Sequence, residues 1–389
     1  MTYHIVSDDI THARLRRCLA HAFSETALQE QAPILKTRVT ELINQLKLQF
    51  GRSSQVKIDL NMWYTLLAFD VVTDLSFGEP LHAVAGAQKH PFIEGFFASC
   101  RMYPMIPLSH AYASIGLLMK LMLKIPAFKK VSEEGYMATE EKVQKRIAMK
   151  SPDRKDFITC ILRHNDERGM TEKEIIGSTG VIVNGGGESV AVCTTTATFY
   201  MLRNPEILKK AQKEVRDAFI EQDRITIRAT AKLTYLNAII EEALRINPPT
   251  PGNFSRRTSA SGEIFDGYFV PPNTSIGVHQ WSANHSAKNF HSPETFVPER
   301  WLAEPPEEYR NDIKAASQPW SIGPRNCLGK NIAYAEIRLT LAYLLWNFDM
   351  ELCSDSESWA TNQRYDITWD RPSMFVELSR REGENIMRP

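Results

Sequence analysis

The sequence predicts a mostly α-helical fold with a small β region, built as a single domain over residues 1–389. Three observations carry that prediction. Apolar residues recur at helical spacing through most of 1–246 and again over 327–348. Short alternating runs bounded by Pro, Gly and Asn are confined to 247–280 and 364–380. No internal repeat or low-complexity tract interrupts the chain. At 389 residues, 43% of them hydrophobic, it can bury a large core without a disulfide or metal staple.

Taken in order, residues 12–50 and then 56–78 read as helix. The stretch 108–125, LSHAYASIGLLMKLMLKI, is apolar but carries Lys120 and Lys124. It barely reaches membrane-spanning length, so it reads equally as a membrane-surface or lid helix and as a core helix. Polar KSPDRK (150–155) is a loop. A long helix starts at Thr171, where Thr171 and Glu174 form a capping box, and runs to Asn204-Pro205. Its thirty-two residues would span roughly 48 Å, the width of a domain. Between Gly177 and Leu202 the only charge is Glu188, but Asn184, three glycines and five threonines make the segment too polar for an unaided membrane span. Gly185-Gly186-Gly187 costs about 1 kcal/mol per residue relative to Ala in mid-helix, which calls for something approaching the backbone closely. The alternative is a helix break without function. Helices follow at 205–220 and 235–246, then short strands and hairpins over 247–280 and an irregular Pro-rich stretch over 291–325. A last helix runs from Cys327 to about Phe348. In the tail, ITW and MFVELS on either side of Asp370-Arg371-Pro372 suggest a closing hairpin.

Charge and cysteine content narrow the function classes. Lys plus Arg is 46 and Asp plus Glu is 46, so the net charge is zero and a bulk nucleic-acid grip is not expected. Six dispersed cysteines with no CxxC pair read as free thiols of a reducing compartment. The first twenty residues lack an apolar core, so neither a signal peptide nor an N-terminal anchor is expected.

Four constellations could carry chemistry. In Trp320-Ser-Ile-Gly-Pro-Arg-Asn-Cys327-Leu-Gly-Lys330 a cysteine stands at the mouth of a helix whose apolar face is Leu328, Ile332, Ala335, Leu339 and Ala342. The helix dipole and unpaired N–H groups favour a thiolate there. Gly323 permits a tight turn, Gly329 lets a flat ligand approach, and Arg325 can meet an anionic group on it. The competing reading is an inert cysteine near a helix cap. Glu242 and Arg245 stand three apart on one helix, which by itself describes a surface pair worth about 0.2–0.5 kcal/mol. Gly185-Gly186-Gly187-Glu188-Ser189 interrupts the long helix. His12, Arg14, Arg16 and Arg17 form a basic run, which alone reads as a solvated face.

Together these residues resemble the cytochrome P450 family. Its haem-binding loop is FxxGxRxCxG, with Trp320 here in the Phe position, and its ExxR and PER(F/W) segments match Glu242-Ala-Leu-Arg245 and Pro298-Glu-Arg300-Trp301. The resemblance runs from His12 onward and is closest to filamentous-fungal secondary-metabolism members of the isotrichodermin hydroxylase type, around GYFVPPNTSIGVHQWSANHS and FVPERW. It implies an N-terminally truncated cytochrome P450 fold, since the family's anchor, first helices and first two strands have no counterpart before His12.

The resemblance further implies haem b with Cys327 as axial ligand to iron, and a triad of Glu242, Arg245 and Arg300. His12, Arg16, Arg325 and Arg256 would hold the haem propionates. Glu188 and Ser189 would supply protons for oxygen activation, Ser189 standing where the family usually has Thr. Val181, Ile182, Gly185, Pro251, Asn253 and Phe254 are the substrate-pocket candidates. The implied activity is a monooxygenase acting with O2 on an apolar small molecule, a terpenoid or polyketide of fungal secondary metabolism. Electrons would come from NADPH through a reductase docked near Lys330, Arg14 and Arg17. The implied location is the cytosol or the cytosolic face of the endoplasmic reticulum, with peripheral membrane contact through 108–125. The alternative is a truncated, non-catalytic remnant acting as a binding or regulatory protein.

Overall fold

Hydrogen bonds at the helix ends account for much of the helix pattern in the computed structural model, which describes residues 7–102, 105, 108–109, 112–122, 137, 139–149, 153–167, 169–253 and 255–381. Helix α1 (Asp9–Ala20) opens on Asp8, whose carboxylate accepts from the Thr11 N–H. Ser24 caps α2 (Glu25–Gln49) in the same way, so the run read as one helix over 12–50 is two helices joined at a turn. Next come α3 (Leu60–Phe77), α4 (Pro91–Met102), α5 (Ala113–Met122) and α6 (Phe157–Arg163). Helix α7 (Glu172–Arg203) carries the Thr171/Glu174 capping box with both of its hydrogen bonds. The series closes with α8 (Pro205–Ala218), α9 (Thr234–Ile246) and α10 (Lys330–Asn347), short helical turns aside.

One expected helical stretch begins as a strand. Residues Gln55–Asp59 form β1, which pairs antiparallel with β9 (Phe375–Arg380), itself paired on its other side with β6 (Phe348–Leu352). Ile58 lies opposite Val376, and Met350 opposite Leu378, so one face of this sheet is apolar and buried. The closing hairpin is also corrected. Trp369–Asp370 (β8) pairs with Arg364–Tyr365 (β7), whereas MFVELS contributes β9 to the other sheet. Two strand pairs occupy 247–280: β2 (Arg256–Arg257) with β5 (Ser275–Ile276), and β3 (Glu263–Phe265) with β4 (Tyr268–Val270).

Helix α3 is the inner wall of the core, buried along nearly its whole length and packed along α7. The Tyr64 and Thr198 hydroxyls share a 2.9 Å hydrogen bond between the two helices. This contact explains two of the three consecutive glycines. A Cβ on Gly186 would stand 2.8 Å from Val72 Cγ2, and one on Gly187 would stand 2.9 Å from the Phe69 ring. A Cβ on Gly185 would meet nothing within 4 Å. Close packing against α3 is therefore the reason for Gly186 and Gly187, and α7 continues through all three without a break.

Helix α5 lies at the surface, with Leu117, Leu118 and Leu121 more than half exposed, which argues against a core helix over its described part. Residues 110–111 and 123–125 of the 108–125 stretch, and 150–152 of the 150–155 loop, lie outside the described residues. Among the described residues no helix is long and apolar enough to cross a membrane.

The glycine geometry makes a paired prediction. Gly187→Ala gains about 1 kcal/mol of helix propensity but forces a methyl into the buried Phe69 ring, an overpacking cost of about 1–3 kcal/mol. Gly185→Ala gains the propensity with no clash. In urea denaturation the Gly185 variant is expected to be more stable than the wild type and the Gly187 variant less stable; the reverse order would refute the assignment of the two faces.

Candidate active site

The cysteine loop is positioned by a buried charge cluster. Glu242, Arg245 and Arg300 have fully buried side chains. The Glu242 carboxylate accepts from Arg245 Nε (2.8 Å) and Nη2 (2.7 Å), Arg300 Nε (3.1 Å), Trp301 Nε1 (2.8 Å) and the Val297 N–H (2.9 Å). Arg245 spends its other donors on the carbonyls of Asn284, Pro293 and Thr295. Arg300 donates to the His291 carbonyl and pairs with Asp312. Phe290 lies under both guanidinium groups, at 5.2 and 5.8 Å. The structure thus makes this a core network, not a surface pair, and Trp301 and Asp312 join it unannounced by the sequence. A tryptophan directly after Arg300 was the available signal for the first.

Beyond this cluster the chain turns into the cysteine loop. Gly323 has φ +76°, a left-handed conformation that suits glycine. The Cys327 N–H donates to the Trp320 carbonyl at 2.8 Å. Trp320 Nε1 donates to the Tyr334 hydroxyl at 3.0 Å, and Tyr334 donates to Glu241, so the loop is tied to both α10 and α9. Helix α10 starts at Lys330, three residues after the cysteine. Cys18, Cys160 and Cys193 are buried, whereas Cys327 is exposed. Crowding by protein on its inner side pushes the Cys327 thiol pKa up, against the pull of the Gly329 and Lys330 N–H groups and of Arg16.

Helix α1 delivers positive charge to the same place. Arg16 donates to the backbone carbonyl of Asn326 at 2.7 Å and also to its side-chain oxygen, which staples α1 to the residue before the cysteine. Arg325 donates to the Ser7 carbonyl (2.9 Å) and Asp9 (2.8 Å). His12 is buried, and its pKa is lowered by that burial first, then by Arg325 and Arg16, with Arg256 adding to the same effect. His12, Arg16, Arg325 and Arg256 therefore share one electrostatic neighbourhood, in which His12 stays neutral at pH 7. Arg14 and Arg17 point elsewhere: Arg14 pairs with Glu174 at 2.5 Å, and Arg17 reaches Asp166 at 3.3 Å. Both are ion-paired at or just before the α7 entry, with the Arg17 side chain 51% exposed, and Lys330 is exposed.

On α7 the candidate residues divide between two faces. Gly185 is exposed, Val181, Ile182 and Ser189 are partly exposed, and the Ser189 hydroxyl donates to the Gly185 carbonyl at 2.6 Å. Glu188, roughly 60° round the helix from Gly185 and about 100° from Ser189, is 2% exposed and bonded at 2.7 Å to Arg371, itself 2% exposed. The structure therefore places Glu188 beside Gly185 on the helix but buries its side chain against Arg371. Burial pushes its pKa up to about 7 against the pull of Arg371. Asn253 is exposed and Pro251 buried, while Phe254 lies outside the described residues. Sequence reading missed Arg371 as the partner of Glu188. An arginine held within Asp370-Arg371-Pro372 looked like turn punctuation.

These residues fit the haem that the sequence resemblance implies. An accessible thiol stands at a helix start, and a Cβ on Gly329 would meet only Ile332 Cγ2 at 3.8 Å and the Cys327 sulfur at 4.0 Å, which leaves room for a flat group. The cations of α1 and the loop suit its carboxylates.

Comparison with known proteins agrees. The family model described as "Cytochrome P450" matches residues 2–378. The cytochrome P450 monooxygenase aclL of Aspergillus oryzae is 38% identical over 376 residues, 96% of this chain and 75% of that protein. The cytochrome P450 monooxygenase astA of Talaromyces wortmannii is 37% identical over 377 residues, 96% of this chain and 74% of its own. The crystal structure of the cytochrome P450DA haem domain superposes with a TM-score of 0.79 at 18% identity, covering 97% of this chain and 80% of that one, a likeness of fold.

The buried cluster yields its own prediction. Glu242→Ala would leave Arg245 without a counter-ion in the core and Arg300 with Asp312 alone, a change expected to cost about 3–5 kcal/mol. Chemical denaturation should show that loss or an unfolded chain; a loss below about 1 kcal/mol would mean that the cluster is replaceable.

Proposed function

The chain belongs to the cytochrome P450 family and is a monooxygenase, and from that premise we propose that it acts, as a single domain over residues 1–389, on an apolar secondary metabolite of terpenoid or polyketide type. One atom of O2 enters the substrate and the other leaves as water, consuming two electrons and two protons. NADPH supplies the electrons through a reductase docked near Lys330, which is exposed. The observation that carries the reading is Cys327, exposed at the start of α10 beside the cation set of α1.

In this reading haem b supplies the activation of O2, and thiolate ligation favours O–O cleavage. The remaining work falls to the chain. Cys327 would hold the haem iron through its sulfur, its negative charge stabilised by the Gly329 and Lys330 N–H groups. Arg16, Arg325 and Arg256 hold the haem carboxylates as cations, and His12 holds them as a neutral N–H donor. Glu242, Arg245 and Arg300 keep the segment before the loop in place. Gly185 would leave space for substrate, with Val181, Ile182, Pro251 and Asn253 as its proposed lining. Ser189 can pass on the proton of its hydroxyl, and Glu188 is the acid behind it, poised to exchange a proton near neutral pH. The exposed leucines of α5 are the proposed contact with the cytosolic face of the endoplasmic reticulum.

Absorption spectroscopy of the reduced, carbon-monoxide-treated protein tests the core of this reading. The wild type should show a thiolate-shifted Soret band and oxygenate substrate with a reductase, and Cys327→Ala should lose both. Turnover retained by the alanine variant would overturn the assignment, and a wild-type chain that takes up no haem would instead be a non-catalytic binding protein. For the membrane contact, replacing Leu117, Leu118 and Leu121 by Ser should abolish co-sedimentation with phospholipid vesicles. Undiminished sedimentation would place the contact elsewhere.

A further inference from the structure

Glu188 is held by a partner from the far end of the chain, and the hold is lopsided. Arg371 Nη2 donates to Glu188 Oε1 at 2.7 Å. The guanidinium also reaches Thr195 Oγ1 at 3.3 Å and Thr65 Oγ1 at 3.5 Å. Both hydroxyls donate their own protons to backbone carbonyls, of Ala191 and Asn61, and so are set to accept from the arginine. The backbone around Arg371 is tied down as well. Asn61 Nδ2 donates to the Arg371 and Pro372 carbonyls (3.5 and 3.1 Å), and Trp359 Nε1 donates to Pro372 at 3.1 Å. The guanidinium is thus fixed to α3 and α7 independently of the carboxylate.

An arginine and a carboxylate paired for stability alone favour two parallel hydrogen bonds. Here Glu188 Oε2 and Arg371 Nε are both buried without a hydrogen-bond partner. An unsatisfied buried oxygen is unfavourable in a core, and the sequence places this one on the residue before Ser189. The charges facing Glu188 are Arg371 and Asp370 from the C-terminal linker and Lys89 from the approach to α4. Cys100 of α4 feels the Glu188 charge in turn. A small recess lined by Phe97, Cys100, Asp366, Trp369 and Asp370 opens beside this linker.

We infer that Arg371 is the positioning residue of the proton donor: it pins one carboxylate oxygen of Glu188 so that the other, Oε2, is the atom that takes up a proton and hands it on towards Ser189. The inference rests on the reading of Glu188 as a proton donor. Oε2–H releases its proton, the carboxylate that remains is neutralised by Arg371, and a proton from solvent restores the acid; no electrons move in this step. Burial holds the carboxyl near neutrality with Arg371 as the main opposing pull, so both forms are present at pH 7.

The test uses the full chain in its ferric haem form, with Arg371→Met, Arg371→Lys and Glu188→Gln. The infrared C=O stretch of the protonated Glu188 carboxyl, identified as the band absent from Glu188→Gln, should disappear in the wild type as pH rises through about 7. Without the guanidinium, burial is opposed by Lys89 alone. In Arg371→Met the band should therefore persist to a pH about one unit higher or more, a tenfold weaker acid. Product formed per NADPH oxidised should fall several-fold in Arg371→Met at unchanged KM, and recover in large part in Arg371→Lys. If Glu188→Gln is uncoupled but Arg371→Met keeps the wild-type midpoint and coupling, the inference fails. If Glu188→Gln itself stays fully coupled, the reading of Glu188 as proton donor fails. Should Arg371→Met not fold, Glu188→Asp decides, since it withdraws the carboxyl from Arg371 by one methylene. Uncoupling there supports the inference, and wild-type coupling overturns it.

Discussion

The structure depends first on a single carboxylate, that of Glu242, which receives five hydrogen bonds inside the core. Two arginines, a tryptophan and a backbone N–H converge on it from α9 and from the 297–301 turn. A segment with almost no regular secondary structure needs such an anchor, because its backbone groups have no ladder to join. Arg245 and Arg300 supply what is missing by donating to the carbonyls of Asn284, His291, Pro293 and Thr295. The 284–312 segment is thereby tied to α9, and the loop that presents Cys327 follows it in the chain. Buried ion pairs contribute little net stability on average. What this one contributes is position.

Helix α7 is the second organising element, and its two faces serve different ends. One is packed so tightly on α3 that Gly186 and Gly187 have no room for a methyl group. The adjoining face, with Gly185 and Ser189, is open. Glu188 lies between the two, buried, and meets Arg371 there. A charged residue in mid-core is thus tolerated because its counter-ion comes with it, and its acidity is set by burial set against that counter-ion.

Legibility in the sequence varied with the reach of the signal. The α7 capping box, the α10 apolar face and the cysteine loop were readable because each is written within a turn or two of chain. The triad residues were readable through a resemblance to known motifs, although spacing alone described Glu242 and Arg245 as a surface pair. β1 was lost because QVKID is short and its partner lies more than 300 residues away. The closing hairpin was misassigned for the same reason, since the alternation in MFVELS says that it is a strand without saying whose neighbour it is.

By itself, then, the sequence determined the helical class, the make-up of the cysteine loop and the residues able to hold charge. These follow from local periodicity, capping and residue type. Only the tertiary structure decided that Gly186 and Gly187 serve packing while Gly185 faces open space. It alone tied α1 to Asn326 beside the cysteine, and it alone gave Glu188 an arginine partner from the C-terminal linker. Each of these is a contact between groups far apart in the chain, whose energy exists only once burial has brought them together and removed the water between them.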